Sequence, residues 1–273
     1  MAALSALPPA VSALARNPIL VAVVALFGLV QLPQLAFQPS QPMLAALVSL
    51  GISGVMLLVM PFFQGGLLGM ADEGLGGRTG LGTLVSAGKA NYVNLLLAYL
   101  VLFAINFVFG IVAFFAVVLG GIGLFAGQSD PGFASFGASF LIILAIGLVF
   151  VLAYLLVTFF VQFYAHAIVL SDAYLVAGFK RSVGLVRRNL LSTFGYTLIL
   201  LVGSLVLGGV GSVASLLLAP QPTAVPLPEP SLPVLAVAAI IYVVGIAVLG
   251  AFYAMYSVSF YRSIEDDPSI DAL

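Results

Sequence analysis

Apolar residues in this chain come in long unbroken runs, not in alternation. Stretches free of Asp, Glu, Lys and Arg occur at 18–37, 43–70, 92–119, 138–168, 190–218 and 233–260. Each reaches the about 20 residues that an α-helix needs to cross the hydrocarbon core of a bilayer. The strands of a membrane barrel would alternate apolar and polar positions, so the pattern predicts helices. Short breaks separate the runs: QPSQP at 38–42, GQSDPG at 127–132 and APQPTAVPLPEPSLP at 219–233. The last carries too much Pro for a helix and reads as an extended external loop. The third and fourth runs exceed the need by several turns. Gly120, Gly121 and Gly123 are expected to end the third helix, with 120–137 forming a partly membrane-embedded turn.

A second pattern sits just before the odd-numbered runs. VSALARN (11–17), VSAGKAN (85–91) and VGLVRRN (183–189) align on Asn17, Asn91 and Asn189, with a basic residue one or two positions before each Asn. Upstream, apolar residues recur at helical spacing: Leu4, Leu7, Val11 and Leu14; Leu81, Leu84 and Val85; Phe179, Val183 and Val186. On a helical wheel Leu175, Val176, Phe179, Val183 and Val186 share one side, while Lys180, Arg181, Arg187 and Arg188 take the other. Such a segment is too poor in apolar residues to span. It is expected to lie in the interface with its basic face toward the headgroups. Each Asn then suits a helix start, where its side chain accepts from free N–H groups of the first turn. The expected fold is all-α: a polytopic membrane helical bundle of six transmembrane helices and three interfacial amphipathic elbow helices. Its three pseudo-repeats cover about 1–70, 75–172 and 173–262 of a single integral membrane domain spanning 1–273.

Composition agrees with the pattern, and charge orients it. Hydrophobic residues make up 63% and charged residues 6% of the 273 positions, against about a quarter charged in soluble domains. Arg16 precedes the first run; Arg78 and Lys89 lie between the second and third; Lys180, Arg181, Arg187 and Arg188 between the fourth and fifth; Arg262 after the sixth. All eight basic residues therefore fall on one side, and the opposite connections contain none. Lys and Arg bias flanking loops toward the cytoplasm, so the expected location is the cell membrane, multi-pass, with both termini cytoplasmic. Residues 263–273 form an acidic cytoplasmic tail, of which EDDPSIDAL is expected to be a disordered, solvated end. No small-residue cleavage site follows the first run, so a cleaved signal peptide is not expected. A net charge of −1 gives no basis for nucleic-acid binding, and the absence of Cys excludes disulfides, thiolate metal sites and a Cys nucleophile.

The blocks GLLGMADEGLGGRTGLGTLVSAGKANYVNLLLAYLV and LLVTFFVQFYAHAIVLSDAYLVAGFKRSVGLVRRNLLS, with the opening ALARNPILV, resemble a haloarchaeal family of six-span integral membrane proteins of unknown function. That family is distantly similar to the membrane domain found beside some glycerophosphodiester phosphodiesterases. The resemblance covers nearly the whole chain and implies a fold and a lineage. It brings no catalytic residue, because the phosphodiesterase machinery belongs to a separate soluble domain for which this chain has no room.

Candidate chemistry is sparse. His166, the one His, lies six residues before Asp172 and has no metal-ligand partners in its neighbourhood; a proton relay within a span stands against a structural or interfacial His. Asp72 and Glu73 read as a paired-carboxylate site or as helix-end charges beside Arg78. GLGGRTGLG matches neither a P-loop nor a dinucleotide fingerprint and reads as a flexible connector. Lys180, Arg181, Arg187 and Arg188 serve either as topological anchors or as a site for anionic lipid headgroups, each charge contributing about 1 kcal/mol near the surface. Deeper in the spans, Gln31 lies about 21 Å along the helix from Asn17, Asn106 about 22 Å from Asn91, and Ser204 about 22 Å from Asn189. These polar groups read as bundle glue, with a small polar site under the external face as the alternative. No cofactor or metal is expected. The expected function is non-enzymatic: a membrane-organising or accessory protein contacting membrane lipids, or a membrane-protein partner, through its basic interfacial helices. The alternative is a transporter or channel for a small or lipid-like substrate.

Overall fold

A computed structural model describes residues 2–36, 42–126, 133–218 and 231–265, and these contain helices only. In order they are α1 (Ala2–Ser5), α2 (Leu7–Arg16), α3 (Ile19–Ala36), α4 (Pro42–Gly76), α5 (Leu81–Ala126), α6 (Phe133–Val161), α7 (Tyr164–Leu170), α8 (Leu175–Arg188), α9 (Leu190–Leu218) and α10 (Leu232–Glu265). Four helices are long and apolar enough to cross a bilayer, or six if each bent pair counts as one span. The chain is built as a membrane protein. Helices suit that solvent because they satisfy every backbone group internally, where lipid offers no partner. The predicted connections at 38–42, 127–132 and 219–233 fall wholly or mostly outside the described residues.

Two of the three predicted elbows are present. The helix running from α1 through α2 turns by 85° into α3, and α8 turns by 103° into α9. The first bend falls at Asn17–Pro18, where the proline disfavours helical geometry for the residue before it; Asn17 takes φ −124° and ψ 63°. The second falls at Asn189 with φ −120° and ψ 36°.

The middle elbow is absent: α5 runs for 46 residues straight through Asn91. Its first turns are held against the end of α4 by close backbone packing. Gly66 sits so near Leu84 that a Cβ there would come within 2.4 Å of the Leu84 carbonyl oxygen, and a Cβ on Gly69 within 2.4 Å of the Ala87 methyl. Residues 81–90 thus prolong a helical hairpin and do not turn onto the surface. Nor do Gly120, Gly121 and Gly123 end this helix, which continues to Ala126. Glycine costs about 1 kcal/mol per helical position, less than abandoning backbone hydrogen bonds in lipid.

The best-packed region is the end of the bundle that carries the charges. Along α10, Met255 to Tyr261 are all buried, with α1, α2, α3, α4 and α9 packed around the helix. The Tyr256 hydroxyl donates to the Ala3 carbonyl at 2.9 Å and the Ser259 hydroxyl to the Ala6 carbonyl at 3.0 Å. Two turns of the N-terminal helix are thereby tied to two matching positions on α10. An aromatic cluster of Phe163, Tyr196, Tyr256, Phe260 and Tyr261 fills the centre, with Tyr196 stacked on Phe260 at 4.5 Å. The four helices able to span alone are only 6–17% buried over their apolar windows, and away from this end they present Phe103, Val149 and Val244 outward.

Candidate functional site: the charged end of the bundle

The fourth apolar run does not continue unbroken to its predicted end. The backbone opens between α6 and α7, and α8 closes the gap: the Ser182 hydroxyl accepts from the Phe163 N–H at 3.0 Å and donates to the Phe160 carbonyl at 2.9 Å. Ser182 is fully buried, as is Val186, with Gly178 and Leu185 completing the packed face of α8. Small residues on this face let the helix sit close; a Cβ on Gly178 would meet Ile168 at 2.8 Å. The apolar arc expected from the wheel is therefore divided. Val186 and, in part, Leu175 and Phe179 pack inward, whereas Val176 is 62% exposed. The wheel missed the protein-facing side because Gly and Ser carry no hydropathy signal. Asp172 ends the preceding turn at φ 48°, a left-handed conformation that Asp tolerates better than most side chains.

The four cations of α8 divide as well. Arg181 pairs with Glu265, whose same carboxylate oxygen accepts from the Ser171 hydroxyl at 2.8 Å. The other Glu265 oxygen accepts from Arg262 at 3.0 Å. Arg262 also donates from Nε and Nη2 to both oxygens of Asp72, at 2.9 and 2.8 Å. Two cations and two carboxylates thus join α4, α8 and α10 in a charge-balanced network. The fork geometry of the Arg262–Asp72 pair is the strong form of such contacts. Glu265, read from sequence as part of a solvated tail, belongs instead to the last turn of α10, with a side chain only 14% exposed. The rest of that tail lies outside the described residues. Lys180, Arg187 and Arg188 are exposed and have no carboxylate partner among the described residues.

Asp72 and Glu73, adjacent in sequence, do not act together. Glu73 accepts from the Thr79 hydroxyl at 2.7 Å and from Thr83, bracing the turn between α4 and the start of α5. Arg78 and Lys89 are exposed nearby on that turn and on α5.

The three aligned asparagines share a hydrogen bond, but not the predicted one. Each side-chain amide donates back to the carbonyl four residues earlier: Asn17 to Ala13 at 2.9 Å, Asn91 to Ala87 at 3.1 Å and Asn189 to Leu185 at 3.1 Å. They close the preceding turn and do not cap the following one. Asn17 does more. Its amide also reaches the Gly74 and Gly77 carbonyls at 3.2 and 3.0 Å, and its carbonyl oxygen accepts from the Thr79 N–H at 2.9 Å. Sequence gave no sign of this bridge, because its partners are backbone groups about 60 positions away.

His166 is 7% exposed, in α7, T-shaped against Phe163 and stacked on Tyr261, each at 5.5 Å between ring centres. Neither ring nitrogen has a protein partner among the described residues. Of the depth-matched polar residues, Asn106 accepts from the Tyr154 hydroxyl at 2.8 Å and so joins α5 to α6. Ser204 is exposed on α9, which is not packed against α5, so the two are not brought together. The Gln31 side chain lies outside the described residues.

A family described as a domain of unknown function, DUF7847, matches residues 1–264. The chain belongs to this family. The description assigns the family no activity, so no residue role comes with membership. No significant match was found among curated proteins or among solved structures.

Proposed function

We propose that this is a non-enzymatic, multi-pass protein that organises the membrane around it by holding anionic lipid headgroups against α8. In this reading the bundle crosses the bilayer six times. Each bent pair supplies one interfacial elbow and one span, and the unbent α5 is a repeat whose elbow has straightened against α4. The basic end faces the cytoplasm, as the one-sided distribution of Lys and Arg favours. The observation that carries the proposal is the division of labour on α8. Arg181 is committed to Glu265, whereas Lys180, Arg187 and Arg188 are exposed without a carboxylate partner among the described residues. Beside them Val176 and Tyr174 are 62% and 79% exposed. Cations next to exposed apolar side chains are the two components of binding to an anionic lipid surface.

At about 1 kcal/mol per surface charge, replacing Lys180, Arg187 and Arg188 together by Gln is expected to weaken retention of anionic lipid on the order of 100-fold at low salt. High salt screens surface charges and should shrink the difference. Arg181→Gln should leave lipid retention nearly unchanged and lower the thermal midpoint instead. Lipid content of the purified protein, read by mass spectrometry, distinguishes the two. Equal retention by wild type and the triple variant at low salt would reduce these residues to topological anchors.

Orientation is checked separately. With no native Cys, single substitutions can be labelled cleanly. Ser40→Cys, Gln128→Cys and Val225→Cys should react with an impermeant maleimide in intact cells. Ser5→Cys and Ala177→Cys should react only after permeabilisation. External labelling at position 177 would reverse the assignment.

A further inference from the structure

Beyond its contact with α4, one face of α5 lines an outward groove of about 560 Å³. Phe103, Asn106, Phe107, Gly110 and Phe114 contribute to it, a spacing of i, i+3, i+4, i+7 and i+11 that makes a single seam along a helix. Phe103, Phe107 and Phe114 are 56–64% exposed. A seam of aromatic residues alone would suit lipid tails. Asn106 does not.

The Asn106 side chain is exposed in this groove, about 22 Å along α5 from Asn91, within the hydrocarbon of the span. Its amide nitrogen carries two hydrogens and its oxygen two lone pairs. One hydrogen goes to the Leu102 carbonyl at 2.8 Å, and one lone pair takes the Tyr154 hydroxyl at 2.8 Å. The remaining hydrogen and lone pair have no partner among the described residues. An unsatisfied polar group in lipid costs several kcal/mol, and a hydrocarbon tail offers neither donor nor acceptor.

We propose that a second copy of this chain covers the groove, α5 packing in parallel against α5. Symmetry chooses the partner. A closed pair of copies inserted in the same orientation is related by a twofold axis along the membrane normal, so residues beside that axis face their counterparts at equal depth. Asn106 then meets its counterpart, and each carboxamide donates its spare hydrogen to the other's spare lone pair. The two open valences on each side are filled by two reciprocal hydrogen bonds. One turn further along, a Cβ built on Gly110 finds nothing within 4 Å. The missing side chain leaves room for a second backbone to approach, as small residues do at helix contacts in membranes. The pairing does not depend on headgroup binding at α8.

The test is disulfide trapping of the full-length chain in its own membranes, which the absence of native Cys makes clean. Single Cys at Phe103, Phe107, Gly110 and Phe114 should give covalent dimers on mild oxidation. Val101 and Val112 are also exposed, at 41% and 38%, but lie on the opposite side of the helix; Cys there should not. Asn106→Leu should weaken dimerisation in detergent about 3- to 30-fold, the range for roughly 0.6–2 kcal/mol of interhelical hydrogen bonding. Tyr154→Phe, which removes only the contact within the chain, should leave the dimer intact and so separates pairing from folding. Crosslinking at 101 and 112 as efficient as at the seam, or monomers at every position with lipid retained in the groove, would overturn the proposal.

Discussion

Gly66→Ala is expected to destabilise the protein by about 2–3 kcal/mol, the upper range for overpacking a tight contact, and Gly66→Leu to prevent formation of the α4–α5 hairpin. The new methyl of the alanine variant would sit 2.4 Å from the Leu84 carbonyl oxygen and 3.1 Å from its carbon. Both are backbone atoms inside a continuous helix, so no rotamer change relieves the clash; the two helices must separate. Separation would also loosen Gly69 against Ala87 and Gly88 against the Phe62 carbonyl, which lie on the same contact. The comparison that makes the result specific is Gly54→Ala. Gly54 is on the same helix, and a Cβ there meets nothing within 4 Å. That change should be neutral or mildly stabilising, since alanine is the better helix former by about 1 kcal/mol. Thermal midpoints in one detergent, followed by size-exclusion fluorescence, give both numbers. Equal midpoints for Gly66→Ala and wild type would mean that α4 and α5 are not held at this distance.

What was legible in the sequence follows from what each signal measures. Hydropathy registers side chains that avoid water, so the apolar runs appeared where the long apolar helices occur, four of them able to span alone and two as parts of bent pairs. The elbows were legible at Asn17 and Asn189 but not excluded at Asn91, because the phrases VSALARN, VSAGKAN and VGLVRRN look alike. Their difference lies in what the preceding residues touch. Before Asn91 those residues meet Gly66 and Gly69 of α4 and stay straight. Glycine contacts are invisible to a hydrophobic pattern, which is also why the packed side of α8, with Gly178 and Ser182, was missed. The charge network was hidden for another reason. Arg181 sits 84 positions from Glu265, and Arg262 sits 190 from Asp72. Only the fold tells which of four similar cations on α8 is committed to a carboxylate.

The aligned asparagines provide the last expected result, since a repeat read from sequence implies equal roles and the structure gives them unequal ones. Asn17→Leu should cost roughly 3 kcal/mol, the sum expected when buried backbone partners are left unpaired. Leucine keeps the branching of asparagine but none of its hydrogen bonds, and its bulkier methyls add some crowding at this buried position. The Gly74 and Gly77 carbonyls and the Thr79 N–H would all lose their Asn17 partner at the junction of α2, α3 and α4. Thr79 also donates to Glu73, so the turn that starts α5 should loosen with it. Asn91→Leu removes a single bond within one helix and should cost less than about 1 kcal/mol, the net value of an ordinary hydrogen bond. Asn189→Leu should fall between, because its side chain closes the end of α8 where the chain turns by 103°. Thermal midpoints rank the three, and hydrogen exchange at 74–80 locates the damage. Faster exchange there in Asn17→Leu alone is the expected signature. Equal losses for all three variants, with exchange at 74–80 unchanged, would mean that Asn17 holds only its own helix and that the bridge to α4 contributes nothing.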